Sequence, residues 1–190
     1  RDYPMPALRW TGFLERMADA ARSLGWHPFP GPAAVATRPY EGRSPCMYHG
    51  FCNKGGCHVD AKSATHVTTI PRAVETGNLT VVTRAHVTTL EAGADGRIVG
   101  VNYVTDGVEY LQPAKVVLLA SYTYENVRLL LLSKSGAYPN GLSNNHGQVG
   151  RHYFSHHQGA GVSALFPFDL NSWYGLPAQG VAVDDFADDN

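Results

Sequence analysis

The chain has 190 residues, of which 44% are hydrophobic, and its 15 basic and 16 acidic residues give a formal net charge of −1. A chain of this length can bury one sizeable core, so we expect one large or two small domains. The balanced charge, without a basic stripe, argues against nucleic acid as a partner. The most apolar region, 116–132, is interrupted by Glu125, Asn126 and Arg128, which argues against a membrane span.

The first third of the sequence predicts one helix followed by a long irregular segment. Thr11 can cap a helix that ends at Gly25. The predicted apolar stripe of this helix consists of Leu14, Met17, Ala21 and Leu24. Prolines and glycines from residue 28 onward break regular structure, and we expect a loop to about residue 62. Residues 63–76 then predict helical turns that are closed by Gly77.

From residue 79 the pattern becomes that of β structure. Residues 80–83 and 87–90 resemble strands, and two Asp-Gly pairs predict turns into further strands at 98–104 and 108–111. This meander leads to the apolar run 114–120, which predicts a strand buried on both faces, and then to a helix over 124–133. Residues 161–166 and 173–183 are later candidate strands. The predicted fold class is therefore α/β.

The three cysteines, Cys46, Cys52 and Cys57, lie in one glycine-rich loop. An odd number of cysteines that would close short loops is a poor disulfide framework. The C-x5-C-x4-C spacing is compatible with an iron–sulfur site, because thiolates ligate iron and glycine turns let several sulfurs converge. A zinc site that adds His49 is a second interpretation, since zinc accepts nitrogen and sulfur ligands. Three packed thiols without a metal are the third.

Several short phrases, taken in order, resemble one enzyme family. These phrases are Tyr3-Pro-Met-Pro6, Leu24-Gly25-Trp-His-Pro-Phe-Pro30, the cysteine loop, Ile70-Pro71-Arg72-Ala73, Thr83-Arg-Ala-His-Val87, Arg128-Leu-Leu-Leu-Leu-Ser133, Gly147-Gln-Val-Gly-Arg151 and His156. The sequence resembles the glucose-methanol-choline (GMC) oxidoreductases, and most closely their gluconate, fructose and glucose dehydrogenase-like branch of flavoproteins.

The resemblance implies part of the FAD-binding domain of a two-domain fold, with a β-meander and one strand–helix unit. Residues 1–158 would be an internal part of that domain, including the cysteine loop 44–62, and residues 159–190 would begin the substrate-binding domain. The glycine-rich turn that receives the FAD pyrophosphate in the family is not found in this sequence. The family's catalytic histidine would lie beyond residue 190. We therefore expect a middle piece of the enzyme, with no catalytic residue and no activity of its own.

The resemblance also implies where this piece would contact FAD. The backbone of Val87 would meet the adenine, and Ala120, Ser121 and Tyr122 would line the cofactor where many relatives have Ala-Gly. From the residues alone, Val87 is interpreted as a core residue of a strand and Ser121 as a helix N-cap, and only the resemblance favours cofactor contact.

The implied function is oxidation of a CH–OH group of a sugar, sugar acid or polyol. A hydride would pass to flavin, a histidine would take the hydroxyl proton, and the electrons would leave to an external acceptor such as a cytochrome-type subunit. For the cysteines, the resemblance favours an iron–sulfur cluster, ahead of no metal and of zinc. The alternative function is a non-catalytic module, without flavin, that binds a metal or a partner. A nicotinamide-dependent enzyme is disfavoured because the dinucleotide glycine turn is not found.

Overall fold

The computed structural model describes residues 3–50, 52, 55–155, 161, 163–170, 172 and 180–187. Its elements, in chain order, are α1 (Gly12–Ser23), β1 (Phe29–Pro30), α2 (Thr69–Glu75), β2 (His86–Ala92), β3 (Ile98–Thr105), β4 (Val108–Pro113), α3 (Thr123–Leu132) and β5 (Val181–Ala182). The chain divides into two compact units, residues 1–80 with 162–190 and residues 81–161. This mixture of helices and small antiparallel sheets agrees with the predicted α/β class.

Helix α1 of the first unit begins where the sequence predicts. The hydroxyl of Thr11 accepts a hydrogen bond from the N–H of Leu14 at 3.4 Å, which satisfies one donor of the first turn. The buried face matches the predicted stripe only in part: Ala21 is buried and Leu14 half-buried as expected, but Met17 and Leu24 are exposed and Ala18, outside the stripe, is buried. The small alanine side chains allow close packing on that face, so residue size as well as hydrophobicity decides which face is covered.

The pair of β1 and β5 holds residues 180–187 next to the segment that follows α1. The rings of Trp26 and Phe186 meet edge to face with their centroids 5.3 Å apart. His27 Nδ1 lies 2.5 Å from one carboxylate oxygen of Asp185, and the other oxygen accepts the His27 backbone N–H at 3.0 Å. Of the candidate strand at 173–183, residues 181–182 are confirmed as a strand, and residues 173–179 lie outside the described residues.

The contact between His27 and Asp185 predicts a pH-dependent stabilisation. The hydrogen bond and charge of Asp185 raise the pKa of His27, and the hydrogen bonds from His27 lower the pKa of Asp185. The contribution of His27 to the free energy of unfolding is complete below the pKa that His27 has in the unfolded chain. It disappears as the pH rises through the higher pKa that His27 has in the folded chain. The contribution of Asp185 is complete above the pKa that Asp185 has in the unfolded chain. It disappears as the pH falls through the lower pKa that Asp185 has in the folded chain. The contact is therefore fully formed between about pH 4 and pH 6.5.

Replacing Asp185 by asparagine should lower the pKa of His27, because it removes the charge that favours the imidazolium. An NMR titration of the His27 ring in both proteins measures this shift. An identical titration in the two proteins would contradict the contact.

The second unit contains the predicted meander, as a three-stranded antiparallel sheet of order β2-β3-β4. The Asp-Gly pairs at 95–96 and 106–107 form its turns, and Gly96 and Gly107 both have φ of 79°. The prediction of a strand at 80–83 was wrong: these residues carry no strand, and both of their valines are more than half exposed. An apolar, β-branched run does not by itself provide a neighbouring strand with which to pair.

The prediction of a strand buried on both faces at 114–120 was also wrong. These residues have no regular secondary structure, and the side chains of Val116 and Leu118 are each 87% exposed. A strand needs a neighbour that accepts and donates its backbone hydrogen bonds, and no described segment pairs with this one as a ladder. The candidate strand at 161–166 likewise contains no strand in its described residues.

Helix α3 forms close to the predicted bounds and packs on β2. Its residue Leu129 is almost fully buried. Just after the helix, the buried hydroxyl of Ser133 donates to the carbonyl of Leu129 at 2.6 Å and accepts the N–H of Leu90 at 2.8 Å. This hydroxyl therefore joins the end of α3 to β2. No helix among the described residues is long and apolar enough to cross a bilayer.

Replacing Ser133 by alanine should destabilise the second unit by about 1–3 kcal/mol, because the buried N–H of Leu90 would lose its acceptor. Urea denaturation measures the change. The matched control is Ser121→Ala, which removes an exposed hydroxyl and should change the free energy of unfolding by no more than about 0.5 kcal/mol. Equal stabilities of the two variants would contradict the role given to Ser133.

Candidate cofactor site

The four residues predicted to contact FAD lie on two segments of the second unit. Val87 is the second residue of β2, which is an edge strand of the described sheet, and its side chain is half buried. Residues 120–122 form the exposed turn that leads into α3. Strand β2, which contains Val87, packs on α3, and residues 120–122 lead directly into the first turn of this helix.

The turn before α3 has a defined geometry. The side chain of Asn126 reaches back over it, accepting the N–H of Ser121 at 2.9 Å and donating to the carbonyl of Leu119 at 3.4 Å. Tyr122 is the N-cap residue and has φ of 81° and ψ of 155°, a conformation that glycine adopts far more readily. Ser121 is therefore not the N-cap, and the turn holds a tyrosine where the backbone favours glycine.

Arg128 connects β2 to the first turn of α3. Its Nη2 donates to the carbonyl oxygen of Val87 at 3.4 Å, and its Nε donates to the carboxylate of Glu125 at 2.7 Å. Glu125 lies in the first turn of α3, so one guanidinium links β2 to the N-terminal end of the helix. No sequence motif indicates this role of Arg128. The i, i+3 spacing of Glu125 and Arg128 was the only signal available, and it is common on exposed helix faces.

Contact of these residues with part of an adenine nucleotide stays a prediction. An edge strand such as β2 presents backbone groups that no neighbouring strand uses, although the carbonyl of Val87 already accepts a hydrogen bond from Arg128. The rings of Tyr122 and Tyr124 are exposed, with centroids 5.5 Å apart, and add aromatic surface at the turn.

The three cysteines lie in the first unit and line one small cavity. The other residues of its lining are Val35, Gly55, Gly56, Ala61 and Lys62. No disulfide joins Cys46, Cys52 and Cys57. The cavity has a volume of about 20 Å³, which is room for roughly one water molecule.

Backbone groups stabilise the thiolate of Cys57. Partial burial raises the pKa of this thiol, but hydrogen bonds from the backbone N–H groups of Lys62, Val59 and Ala61 outweigh that effect. The pKa of Cys57 therefore lies below the ordinary value of a thiol, and this cysteine has more thiolate character than an unperturbed one.

The described residues give no support to an iron–sulfur cluster. Within the described part of the chain, no group of three or more His, Cys, Asp or Glu side chains is placed to hold a metal ion. The Cys52 thiol donates to the carbonyl of His49 at 3.3 Å, and the Cys46 sulfur accepts the N–H of Tyr48 at 3.5 Å. The structure gives no support to that cofactor, and the assignment of the three cysteines to one metal site stays a prediction.

Comparison with known proteins gives a consistent result. The family model described as GMC oxidoreductase matches residues 12–158. The chain is 33% identical over 198 residues to a gluconate 2-dehydrogenase flavoprotein of Pantoea cypripedii, covering 100% of this chain and 32% of the relative. It is 33% identical over 160 residues to a 2-methyl-1,2-propanediol dehydrogenase of Mycolicibacterium austroafricanum, covering 83% and 28%. It is 27% identical over 165 residues to the fructose dehydrogenase large subunit of Gluconobacter japonicus, covering 85% and 29%. The chain spans about a third of the length of these relatives.

Proposed function

Because the chain belongs to the GMC oxidoreductase family, we propose that the polypeptide containing it uses FAD to oxidise a CH–OH group of a sugar, sugar acid or polyol. The observation that carries this proposal is the family match across residues 12–158, together with the names of the relatives, two of which are a gluconate and a fructose dehydrogenase. The resemblance seen in the sequence is thereby confirmed at the level of the family.

The part of the cofactor site contributed by this chain is Val87 with the turn Ala120, Ser121 and Tyr122. FAD, when bound, would supply the hydride acceptor for alcohol oxidation. The residues of this chain hold and orient it: the edge of β2 offers backbone groups to the adenine, and the turn offers an exposed surface next to α3. Arg128 positions Val87 relative to the first turn of α3 through its contacts with Val87 and Glu125, and Asn126 holds the turn 120–122.

The domain assignment is part of the same proposal. Residues 1–158 form an internal part of the FAD-binding domain, including the cysteine loop 44–62, and residues 159–190 begin the substrate-binding domain. The end of the family match at residue 158 supports this boundary. The catalytic proton acceptor is assigned to a part of the polypeptide outside these residues.

An external acceptor, which in this proposal is a cytochrome-type subunit, would take up the electrons from bound FAD. We assign Cys46, Cys52 and Cys57 to one thiol site, supported by the single small cavity that all three line. The alternative function, a metal-binding module without flavin, has no support among the described residues, because no group of three or more His, Cys, Asp or Glu side chains there is placed to hold a metal ion. Iron and zinc determination, combined with flavin analysis, distinguishes the two functions.

Dye-linked turnover tests the proposed function. The polypeptide that contains this chain is purified with added FAD and assayed anaerobically with glucose, gluconate, fructose and sorbitol and an artificial electron acceptor. We expect dye reduction with at least one of these substrates. Bound metal without flavin, and no reduction with any substrate, would favour the metal-binding module instead.

A further inference from the structure

The first unit contains a cleft of about 760 Å³ whose lining includes none of the residues proposed to contact FAD and none of the three cysteines. Residues 3–8 and 27–38 form most of its walls. Its volume falls within the range of about 300–1,000 Å³ that is typical of small-molecule sites. The cleft can therefore hold an organic ligand, and the residues that would bind this ligand differ from those assigned to the flavin reaction.

The walls of the cleft are joined to each other by side-chain hydrogen bonds. The hydroxyl of Thr37 donates to the carbonyl of Pro6 at 2.8 Å. Nη2 of Arg38 donates to the carbonyl of Pro4 at 3.0 Å. Both bonds tie the segment 3–8 to the end of the other main wall. Because walls that are already in place need less ordering when a ligand arrives, the binding of a ligand costs less conformational entropy.

Two guanidinium groups, those of Arg38 and Arg43, line this cleft. Arg38 makes only the bond to Pro4, whereas Nη1 of Arg43 donates to the carbonyl of Asp60 at 3.1 Å and to the hydroxyl of Ser63 at 3.0 Å. No other N–H group of these two side chains donates to a described residue. Since a guanidinium has five N–H donors, both are fixed in place with donors to spare, and Arg38 keeps the larger number.

The charge balance of the cleft distinguishes these two arginines from others in the chain. Neither Arg38 nor Arg43 pairs with a carboxylate of any described residue. The lining contains one carboxylate, that of Asp184, and its histidine, His27, pairs with Asp185 outside the lining. The cleft therefore carries an excess of positive charge. The arginines elsewhere that do pair with a carboxylate are Arg22, Arg72, Arg84, Arg97 and Arg128.

We propose that this cleft is a second binding site, separate from the flavin reaction, for an aromatic carboxylate whose carboxyl group pairs with Arg38. A planar guanidinium matches a carboxylate with two parallel hydrogen bonds. The rings of Tyr3, Phe29 and Tyr40 line the same cleft, and aromatic rings favour offset-stacked or edge-to-face contacts with another aromatic ring. An aromatic acid without an alcohol group offers no CH–OH group to oxidise, so it is a ligand of the protein and not its substrate.

Calorimetric titration of the FAD-reconstituted polypeptide that contains this chain tests the proposal, with 2-naphthoate and its neutral analogue 2-naphthamide as ligands. We expect 2-naphthoate to bind about tenfold more tightly, which corresponds to one charge-assisted pair. The variant Arg38→Gln should weaken 2-naphthoate binding about tenfold and leave 2-naphthamide binding unchanged, because the apolar walls stay intact. Arg38→Lys should restore part of the loss. The matched control Arg97→Gln removes an arginine outside the cleft and should change neither affinity.

Equal affinities for the two ligands, no binding of either, or normal 2-naphthoate binding by Arg38→Gln would overturn the proposal. Tighter binding of octanoate than of 2-naphthoate would assign the cleft to aliphatic acids and overturn the aromatic class. An excess of gluconate or fructose should not displace 2-naphthoate, and displacement would contradict a site separate from the flavin reaction. Because the titration involves no turnover, a failure of dye reduction would sink the proposed function and leave this inference standing.

Discussion

Replacing Gly141 by alanine is expected to destabilise the second unit by about 3 kcal/mol or more, the largest loss of stability that we predict. Gly141 has φ of 100°, and a Cβ at this position would lie 2.8 Å from the carbonyl oxygen of Leu130 and 2.9 Å from the Cα of Leu131. Both atoms belong to the backbone of α3, so neither can rotate away. The next residue, Leu142, is buried and donates its N–H to the same carbonyl of Leu130 at 2.8 Å, which prevents the segment from shifting outward.

Two control variants separate the causes of that loss. Gly107 also has positive φ, but a Cβ there would meet no atom within 4 Å, so Gly107→Ala measures the backbone conformation alone and should cost about 1–2 kcal/mol. Gly136→Ala has neither constraint and should be nearly neutral. The three free energies of unfolding come from urea titrations followed by circular dichroism. A Gly141→Ala variant no less stable than Gly107→Ala would refute the close packing of this segment on α3.

The second large effect concerns FAD retention. Proline has φ fixed near −65°, whereas Tyr122 has φ of 81°, so Tyr122→Pro cannot form the observed turn before α3. Backbone mismatch of this kind costs about 1–3 kcal/mol, and we expect the variant to bind FAD about tenfold more weakly or worse. The measurement is an FAD titration of the apoprotein, followed by flavin fluorescence.

The matched substitution at the same position is Tyr122→Gly. Glycine adopts the observed conformation without strain, so this variant should keep its FAD affinity within about threefold even though it lacks the ring. If glycine and proline weaken binding equally, the aromatic ring matters and the backbone explanation is wrong. If neither weakens binding, the turn 120–122 is not part of the FAD site.

Sequence features that involve only neighbouring residues, such as helix caps and turns, correctly predicted the corresponding parts of the structure. The hydroxyl of Thr11 caps α1 as expected, and the two Asp-Gly pairs produce the turns of the meander. These features depend on local geometry, namely a side-chain acceptor for first-turn donors and glycines that tolerate positive φ. The sequence contains all of the information that they need, so prediction succeeds.

Features that depend on distant partners were predicted poorly. The apolar run 114–120 has the composition of a buried strand, yet a strand exists only where another strand pairs with it. The hydrogen bond from Arg128 to the carbonyl of Val87 joins residues 41 positions apart, and no sequence motif predicts it. The cleft that contains Arg38 and Arg43 was not anticipated, because its walls come from segments whose meeting no periodicity indicates.

The most direct test of the central claim is the visible absorption spectrum of the purified polypeptide that contains this chain, after reconstitution with FAD. We expect stoichiometric bound flavin whose absorbance bleaches when a sugar, sugar acid or polyol is added anaerobically, because the substrate then reduces the flavin. A correctly folded, reconstituted protein without flavin absorbance would contradict the account.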